Sequence, residues 1–211
     1  MPQGRFIVFE GCDFVGKTTQ AMHLVRAFNT PGIHAVYTKE PTNDFVGKHI
    51  QSILSHTYPI PHPTTMATLF AADREKHVAT IANWLEHEIT VVCDRYLMST
   101  LVYNTETTDD VTQVIAMHQP WYVPPDLVVY LALSEHDVVE RVKTVSATRA
   151  SLSVYETTNR LQHHAWKYEK MFADPTLSHL HPEVLKIDAM MTEDAIAAYI
   201  SEYVLNMIVH V

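Results

Sequence analysis

Cysteine is nearly absent from this sequence. Two of 211 residues, Cys12 and Cys93, can build neither a disulfide framework nor a zinc site by themselves. The chain therefore reads as an intracellular, cytoplasmic protein with reduced thiols. Basic residues are scarce as well: 15 Lys and Arg stand against 24 Asp and Glu, a net charge of −9 with histidine neutral. That deficit argues against a nucleic-acid-binding face, which needs a basic footprint. It leaves room for a small anionic substrate, which needs only local positive charge. Fourteen histidines would soften the charge in acid. No apolar run approaches the roughly 18 residues of a membrane span. The start lacks a basic segment and a small-residue cleavage site, so neither membrane nor secretion is expected. Repeats, low-complexity tracts and long linkers are missing too, which makes residues 1–211 a single domain. What is present is 47% hydrophobic and 18% charged residues, a globular composition long enough to bury a core without metal or disulfide.

Apolar runs and helical spacings alternate along the chain. Phe6–Glu10, Ile33–Thr38, Thr90–Cys93, Leu127–Leu133 and Val184–Ile187 read as strands. Between them, helices are expected over Lys17–Phe28, Phe45–Leu54, Thr64–His87, His136–Thr144, Ser153–Phe172 and Thr192–Met207, with Pro63 tolerated at the start of the third. Near-continuous apolar strands separated by helices predict an α/β three-layer sandwich: a parallel sheet of about five strands with helices on both faces. Such sheets bind ligands at the carboxyl ends of their strands.

The first strand ends in Gly11-Cys12-Asp13-Phe14-Val15-Gly16-Lys17-Thr18, which fits the phosphate-loop pattern G-x-x-x-x-G-K-[ST] without a mismatch. The chain has only five glycines, and two of them stand here. They let backbone N–H groups turn inward around an anion, while the following helix aims its positive end at the same point. In that arrangement Lys17 reaches the β and γ phosphates and the Thr18 hydroxyl ligates Mg²⁺. Cys12 reads as a small filler side chain. A phosphate loop implies a nucleoside triphosphate without saying which reaction follows.

The stretch Phe9-Glu-Gly-Cys-Asp-Phe-Val-Gly-Lys-Thr-Thr-Gln20 resembles the opening of thymidylate kinases, F-E-G-x-D-x-x-G-K-[ST]-T-Q. Further segments match the family in order: Lys39-Glu40-Pro41, Leu69-Phe70-Ala71-Ala72-Asp73-Arg74, Asp94-Arg95-Tyr96 with Ser99, Pro125-Asp126-Leu127, Tyr155-Glu156 and Ile187-Asp188-Ala189. The resemblance spans about residues 4–200. It implies a nucleoside monophosphate kinase that uses ATP and Mg²⁺ to phosphorylate dTMP, forms a homodimer and closes a short lid at about residues 143–154. It also implies site residues. Gly11 to Lys17, Thr18, Thr19 and Arg141 would hold ATP. Asp13, Lys39, Pro41, Phe70, Arg74, Arg95, Ser99, Thr100, Tyr103 and Tyr155 would hold the acceptor. Lys17, Asp94, Arg95, Asp13 and a lid arginine, Arg149, would serve the transfer, with Thr18 and Asp94 at the metal.

Chemistry supports that reading. Transfer between two nucleotides needs two anion sites with positive charge between them, and Asp94-Arg95 beside a phosphate loop supplies the second pole. Phe70 and Arg74 lie four residues apart and share a helix face. In the family the matching ring stacks on thymine and the matching guanidinium binds its 4-oxo group, which disfavours cytosine. Tyr103 matches an aromatic near the 2′ carbon, and Ser99, Thr100, Tyr103 and Asn104 are expected to wall the base and sugar. Departures are also clear. Lys39 stands where many relatives have arginine and cannot bind a phosphate bidentately. Phe14-Val15 removes the arginine that one subgroup carries in the phosphate loop, leaving Arg149 as candidate, with Arg141 and Lys143 behind it. Acceptors such as dUMP and 5-substituted deoxyuridylates stay open. Other readings are a deoxynucleoside kinase and a switch GTPase, the latter lacking its N-K-x-D motif. His163-His164 are expected on a polar helix, Met190-Met191 and Tyr199/Tyr203 in core or subunit contact, and the helix with Ala79, Ile81, Ala82 and Trp84 at a dimer contact.

Overall fold

Continuous apolar runs bury both faces of a strand, and that is how this sheet is built. In the computed structural model, which describes residues 4–29, 33–55, 57–146 and 158–209, five strands form one parallel sheet. They are β1 (Phe6–Glu10), β2 (Ala35–Lys39), β3 (Thr90–Asp94), β4 (Leu127–Ala132) and β5 (Val184–Asp188), ordered β2-β3-β1-β4-β5. Every residue of β1, β3 and β4 is buried, whereas the edge strands β2 and β5 are only partly so. Around the sheet lie α1 (Lys17–Phe28), α2 (Phe45–Leu54), α3 (Pro63–Glu86), α4 (Leu97–Asn104), α5 (Thr108–His118), α6 (Glu135–Ser146), α7 (Thr158–Ala173) and α8 (Glu193–Val209).

Most boundaries fall within two residues of the sequence expectation. Strand β2 starts at Ala35 rather than Ile33 and runs on to Lys39. The expected helix from Ser153 is described from Thr158, its first five positions lying outside the described residues. Helices α4 and α5 were not anticipated. All but Tyr103 of the α4 residues are buried, so the apolar spacing there carries no period to read. Helix α5 is announced by a capping box in which Thr107 and Asp110 exchange side chain–backbone hydrogen bonds.

Register positions the site. Phe9 pairs with Asp94 and Lys39 with Asp94, so the residues following β1, β2 and β3 emerge side by side at the carboxyl edge. The chain moves to one side after β1 and to the other after β3, the arrangement that opens a crevice in such sheets. A small satellite core of Ile50, Ile53 and Met66 joins α2 to α3, with Phe70 and Leu54 packed against it. The turn between β2 and α2 is clamped onto α3, because Asp73 accepts from the Thr42 backbone N–H at 2.8 Å and its hydroxyl at 2.6 Å. Gly47 passes so close to the Thr42 carbonyl that no side chain fits there. Among the described residues no helix is long and apolar enough to cross a membrane.

Candidate active site

Between β1 and α1 the backbone doubles back on itself. Gly11 has φ 142° and Gly16 φ 90°, and a Cβ on Gly11 would lie 2.5 Å from the Leu131 carbonyl oxygen. These are conformations that glycine alone adopts cheaply. Gly16 is the N-cap of α1 and offers no side-chain cap, so the helix meets the loop with its first N–H groups available to an anion. Lys17 is buried, and its Nζ donates to the Cys12 carbonyl at 2.6 Å. Burial, followed by the nearby Arg95, lowers its pKa. Cys12 and Val15 turn their side chains into the core, so both can serve a nucleotide only through the backbone. Burial pushes the Cys12 thiol up to about 11, which fits a filler rather than a redox group. The Thr18 hydroxyl donates to Asp94 Oδ2, which the Tyr37 hydroxyl approaches at 3.4 Å. Asp94 Oδ1 is buried without a hydrogen-bond partner among the described residues. A hydroxyl and an unsatisfied carboxylate oxygen side by side are an oxygen-donor set suited to Mg²⁺.

Arg95 adopts a left-handed backbone, φ 72°, just before α4. Its guanidinium donates to the Gly11 carbonyl at 3.2 Å and to Ser99 Oγ at 3.0 Å, and pairs with Asp13 Oδ1. The other Asp13 oxygen accepts from the Tyr103 hydroxyl at 3.0 Å. Burial would raise the Asp13 carboxyl, but Arg95 and Lys17 hold it below its ordinary value. Beneath Arg95, the fully buried Glu10 accepts from the backbone N–H groups of Tyr96 at 2.9 Å and Ser99 at 3.1 Å, from Ser99 Oγ at 2.6 Å, and from the Tyr168 hydroxyl at 2.9 Å. Glu10 thus caps α4 from a neighbouring strand, in place of the N-cap residue Tyr96, whose side chain makes no such bond. Burial raises its pKa.

A cleft of about 230 Å³ opens between Asp13 and Arg95 at one end and Arg74 and Asn104 at the other, with Phe70, Pro41 and Leu54 along its apolar wall. Arg74 is not a solvated helix charge; it is 1% exposed. Its Nε and Nη2 donate to Glu40 Oε2 at 2.8 and 2.5 Å, and Nη2 also donates to Thr100 Oγ1 at 2.8 Å. Burial works against the Glu40 charge, but Arg74 and His77 together keep its pKa below the usual carboxylate value. Three residues lining the cleft carry a buried atom with no hydrogen-bond partner among the described residues: the donor Arg74 Nη1, the acceptor Asn104 Oδ1 and the Tyr96 hydroxyl.

The family model described as thymidylate kinase matches residues 9–179 of this sequence. The chain belongs to the thymidylate kinase family. It is 38% identical to a probable thymidylate kinase of Methanocaldococcus jannaschii over 68% of this chain and 72% of that protein. With a probable thymidylate kinase of Pyrococcus horikoshii it shares 34% identity over 82% of this chain and 86% of the other. The solved structure of thymidylate kinase from Candida albicans has the same fold, with a TM-score of 0.77 at 20% sequence identity, over 97% of this chain and 92% of that one.

Against the family pattern, Asp13, Pro41, Phe70, Arg74, Arg95, Ser99, Thr100 and Tyr103 all line the one cleft. Lys39 does not; it borders a separate recess with Tyr37, Thr42 and His77. Arg141 donates to the Phe14 carbonyl at 3.5 Å and the Ala189 carbonyl, which ties the end of β5 to the phosphate loop. Thr19 is exposed on the first turn of α1. Arg149 and Tyr155 lie outside the described residues. Several neighbouring expectations need correction. His164 is buried rather than on a polar face, its ring 4.2 Å from that of Tyr103. Ile81 is consumed by the chain's own core and is not free for a partner subunit. Met190, Met191 and Tyr199 are exposed, which removes the core half of their expectation and leaves the subunit contact. Glu10, Glu40 and His77 were not singled out as site residues. For the two carboxylates the signal is chemical: Glu10 ends the apolar run of β1 and Glu40 directly follows β2, and a carboxylate buried there needs a cationic or N–H partner.

Proposed function

We propose that this chain transfers the γ-phosphoryl group of ATP to thymidine 5′-monophosphate, giving the diphosphate and ADP. The observation that carries this reading is the cleft that runs from Asp13 and Arg95, beside the phosphate loop, to an unpartnered donor, Arg74 Nη1, and an unpartnered acceptor, Asn104 Oδ1, with the Tyr96 hydroxyl a further unpartnered group on its lining. Thymine presents the complementary pair, a 4-oxo acceptor next to an N3–H donor. Cytosine presents the reverse and would leave both protein groups unsatisfied. Phe70 stacks on the base, and Tyr103, anchored on Asp13, fills the space a ribose 2′-hydroxyl would need.

At the other end of the cleft, Lys17 exchanges the Cys12 carbonyl for the β and γ phosphates. Arg95, oriented by Asp13 and Ser99, bridges the two reacting phosphates and stabilises the charge that develops between them. Thr18 and Asp94 would hold Mg²⁺, which would neutralise part of the triphosphate charge. The attacking oxygen belongs to an ionised phosphate, so no strong base is required. A deoxynucleoside kinase would need one, and here both Asp13 oxygens are already taken by Arg95 and Tyr103. Residues 1–211 act as one domain, Arg149 supplies a further cation from a lid at about 143–154, and the chain works as a homodimer in the cytoplasm.

The test is ADP release from ATP and Mg²⁺ with dTMP, dUMP, dCMP, ribothymidylate and thymidine as acceptors. The expected order places dTMP first, dUMP next and the other three far behind. Preference for thymidine over dTMP would overturn the assignment.

A further inference from the structure

Arg74 reads the acceptor base in the function proposed above, and something must fix which of its nitrogens faces the cleft. A carboxylate gripped through one oxygen can still turn about its terminal torsion, which is broad. Glu40 is gripped through both. Oε2 receives Nε and Nη2 of Arg74, while Oε1 lies 2.9 Å from Nδ1 of His77. The remaining ring nitrogen, Nε2, lies 2.6 Å from the Thr38 hydroxyl on β2. An ionised Glu40 only accepts, so Nδ1 of His77 donates to it, and Nε2 shares a hydrogen bond with the Thr38 hydroxyl. The chain Thr38–His77–Glu40–Arg74 therefore runs without a break from an edge strand to the end of the cleft.

His77 is 6% exposed and lies on the inner face of α3 with Val78 and Ile81. Simple filling there calls for an apolar side chain, because a buried imidazole is costly unless both nitrogens are used. Both are used, and one of them on the carboxylate that holds Arg74. Asp73, from the same helix, pins Thr42, two residues beyond Glu40, so the backbone on that side is held as well.

We infer that His77, braced by Thr38, is a positioning residue for base recognition: it fixes the plane of Glu40 and, through it, leaves Nη1 of Arg74 facing the acceptor. The inference rests on Arg74 being the base reader. His77 touches no substrate. Its loss lets the Glu40 carboxylate turn and the guanidinium follow, which weakens the acceptor contact while the transfer machinery around Lys17 and Arg95 is left alone.

The experiment is a double-mutant cycle in steady-state kinetics, with melting midpoints recorded alongside. His77→Phe is expected to raise the dTMP KM about tenfold, the scale of a hydrogen bond to a charged group. It should also lower the preference for dTMP over dCMP, with the ATP KM unchanged. His77→Asn, which keeps a donor where Nδ1 stands, should recover most of the loss. Thr38→Val should show the same pattern more weakly, and together with His77→Asn it carries the test if His77→Phe fails to fold. In an Arg74→Ala background, His77→Phe should add nothing to the dTMP KM. An equal KM effect in both backgrounds, or no effect in either, overturns the inference and leaves the base site standing. If Arg74→Ala by itself changes neither dTMP KM nor the preference over dCMP, the base-site reading falls and the inference falls with it.

Discussion

The two ends of the cleft are built on different rules. At the base end, the charges are already spent on fixed protein partners: Arg74 on Glu40 and Thr100, Glu40 on Arg74 and His77, Asp73 on Thr42. Arg74 Nη1, Asn104 Oδ1 and the Tyr96 hydroxyl are left over, and the first two would suit a neutral base. At the phosphate end, the cations are held largely by backbone carbonyls and a hydroxyl, beside one carboxylate. Lys17 sits on a backbone carbonyl, and Arg95 shares itself among Gly11, Ser99 and Asp13. Selection of a neutral ring rewards a rigid frame, since every unsatisfied buried group counts against the wrong ligand. Binding of a highly charged group rewards side chains that can leave one acceptor for a better one.

The largest effect that follows is at Lys17. Lys17→Ala should cut turnover by at least about 10³-fold with the fold intact, because no other side chain replaces its charge on the phosphates. Near-normal kcat in a folded variant would remove the phosphate loop from the mechanism. Next comes Arg149→Ala, expected to lower kcat by about 10²–10³-fold with little change in either KM, since a lid contact forms mainly in the transition state. Arg149→Lys should recover only part. An unchanged kcat would place that charge on Arg141, Lys143 or a partner subunit. At the base end the effects should appear in KM. Phe70→Ala should weaken dTMP by about 1–3 kcal/mol of lost stacking, and Arg74→Ala should cost dTMP more than dCMP. If both variants instead raise the ATP KM, the two ends have been assigned the wrong way round.

The smallest effect concerns acid. Burial lowers His118 to about 4 and His164 to about 3, so both are neutral in the folded chain and ordinary in the unfolded one. Between pH 6.5 and 4 the unfolded state then binds more protons. Their contribution to stability is therefore present above pH 6.5 and lost as pH falls. Each steepens that loss by up to about 1.4 kcal/mol per pH unit. His118→Phe should flatten the fall of Tm across that window; an unaltered slope would mean that this histidine is charged in the fold.

What could be read beforehand follows the same division. The phosphate loop is contiguous, and its strand–turn–helix setting is local, so Gly11 to Thr18 announce themselves. Asp94-Arg95 is equally local. The base-end frame is not: Glu40 meets Arg74 across 34 positions, and Glu10 meets Ser99 across 89. The place of both carboxylates at strand ends calls for a partner, but nothing local in the sequence says which one. His164 looks solvated in sequence because its neighbours Arg160, His163 and Lys167 are polar, yet Lys167 is itself buried with its Nζ on the Thr105 carbonyl. Helix α4 is buried nearly all round, which erases the amphipathic signature that would announce it.

Two consecutive residues of α4 have separate allegiances. Ser99 belongs to Arg95 and Glu10, and Thr100 belongs to Arg74. Their Cα atoms are held about 3.8 Å apart by one peptide unit, and Glu10 pins the start of the helix. The short helix thereby acts as a gauge. It fixes the span from Arg74 to Arg95, and in the function proposed above that span would measure an acceptor by the distance between its ring and its phosphate.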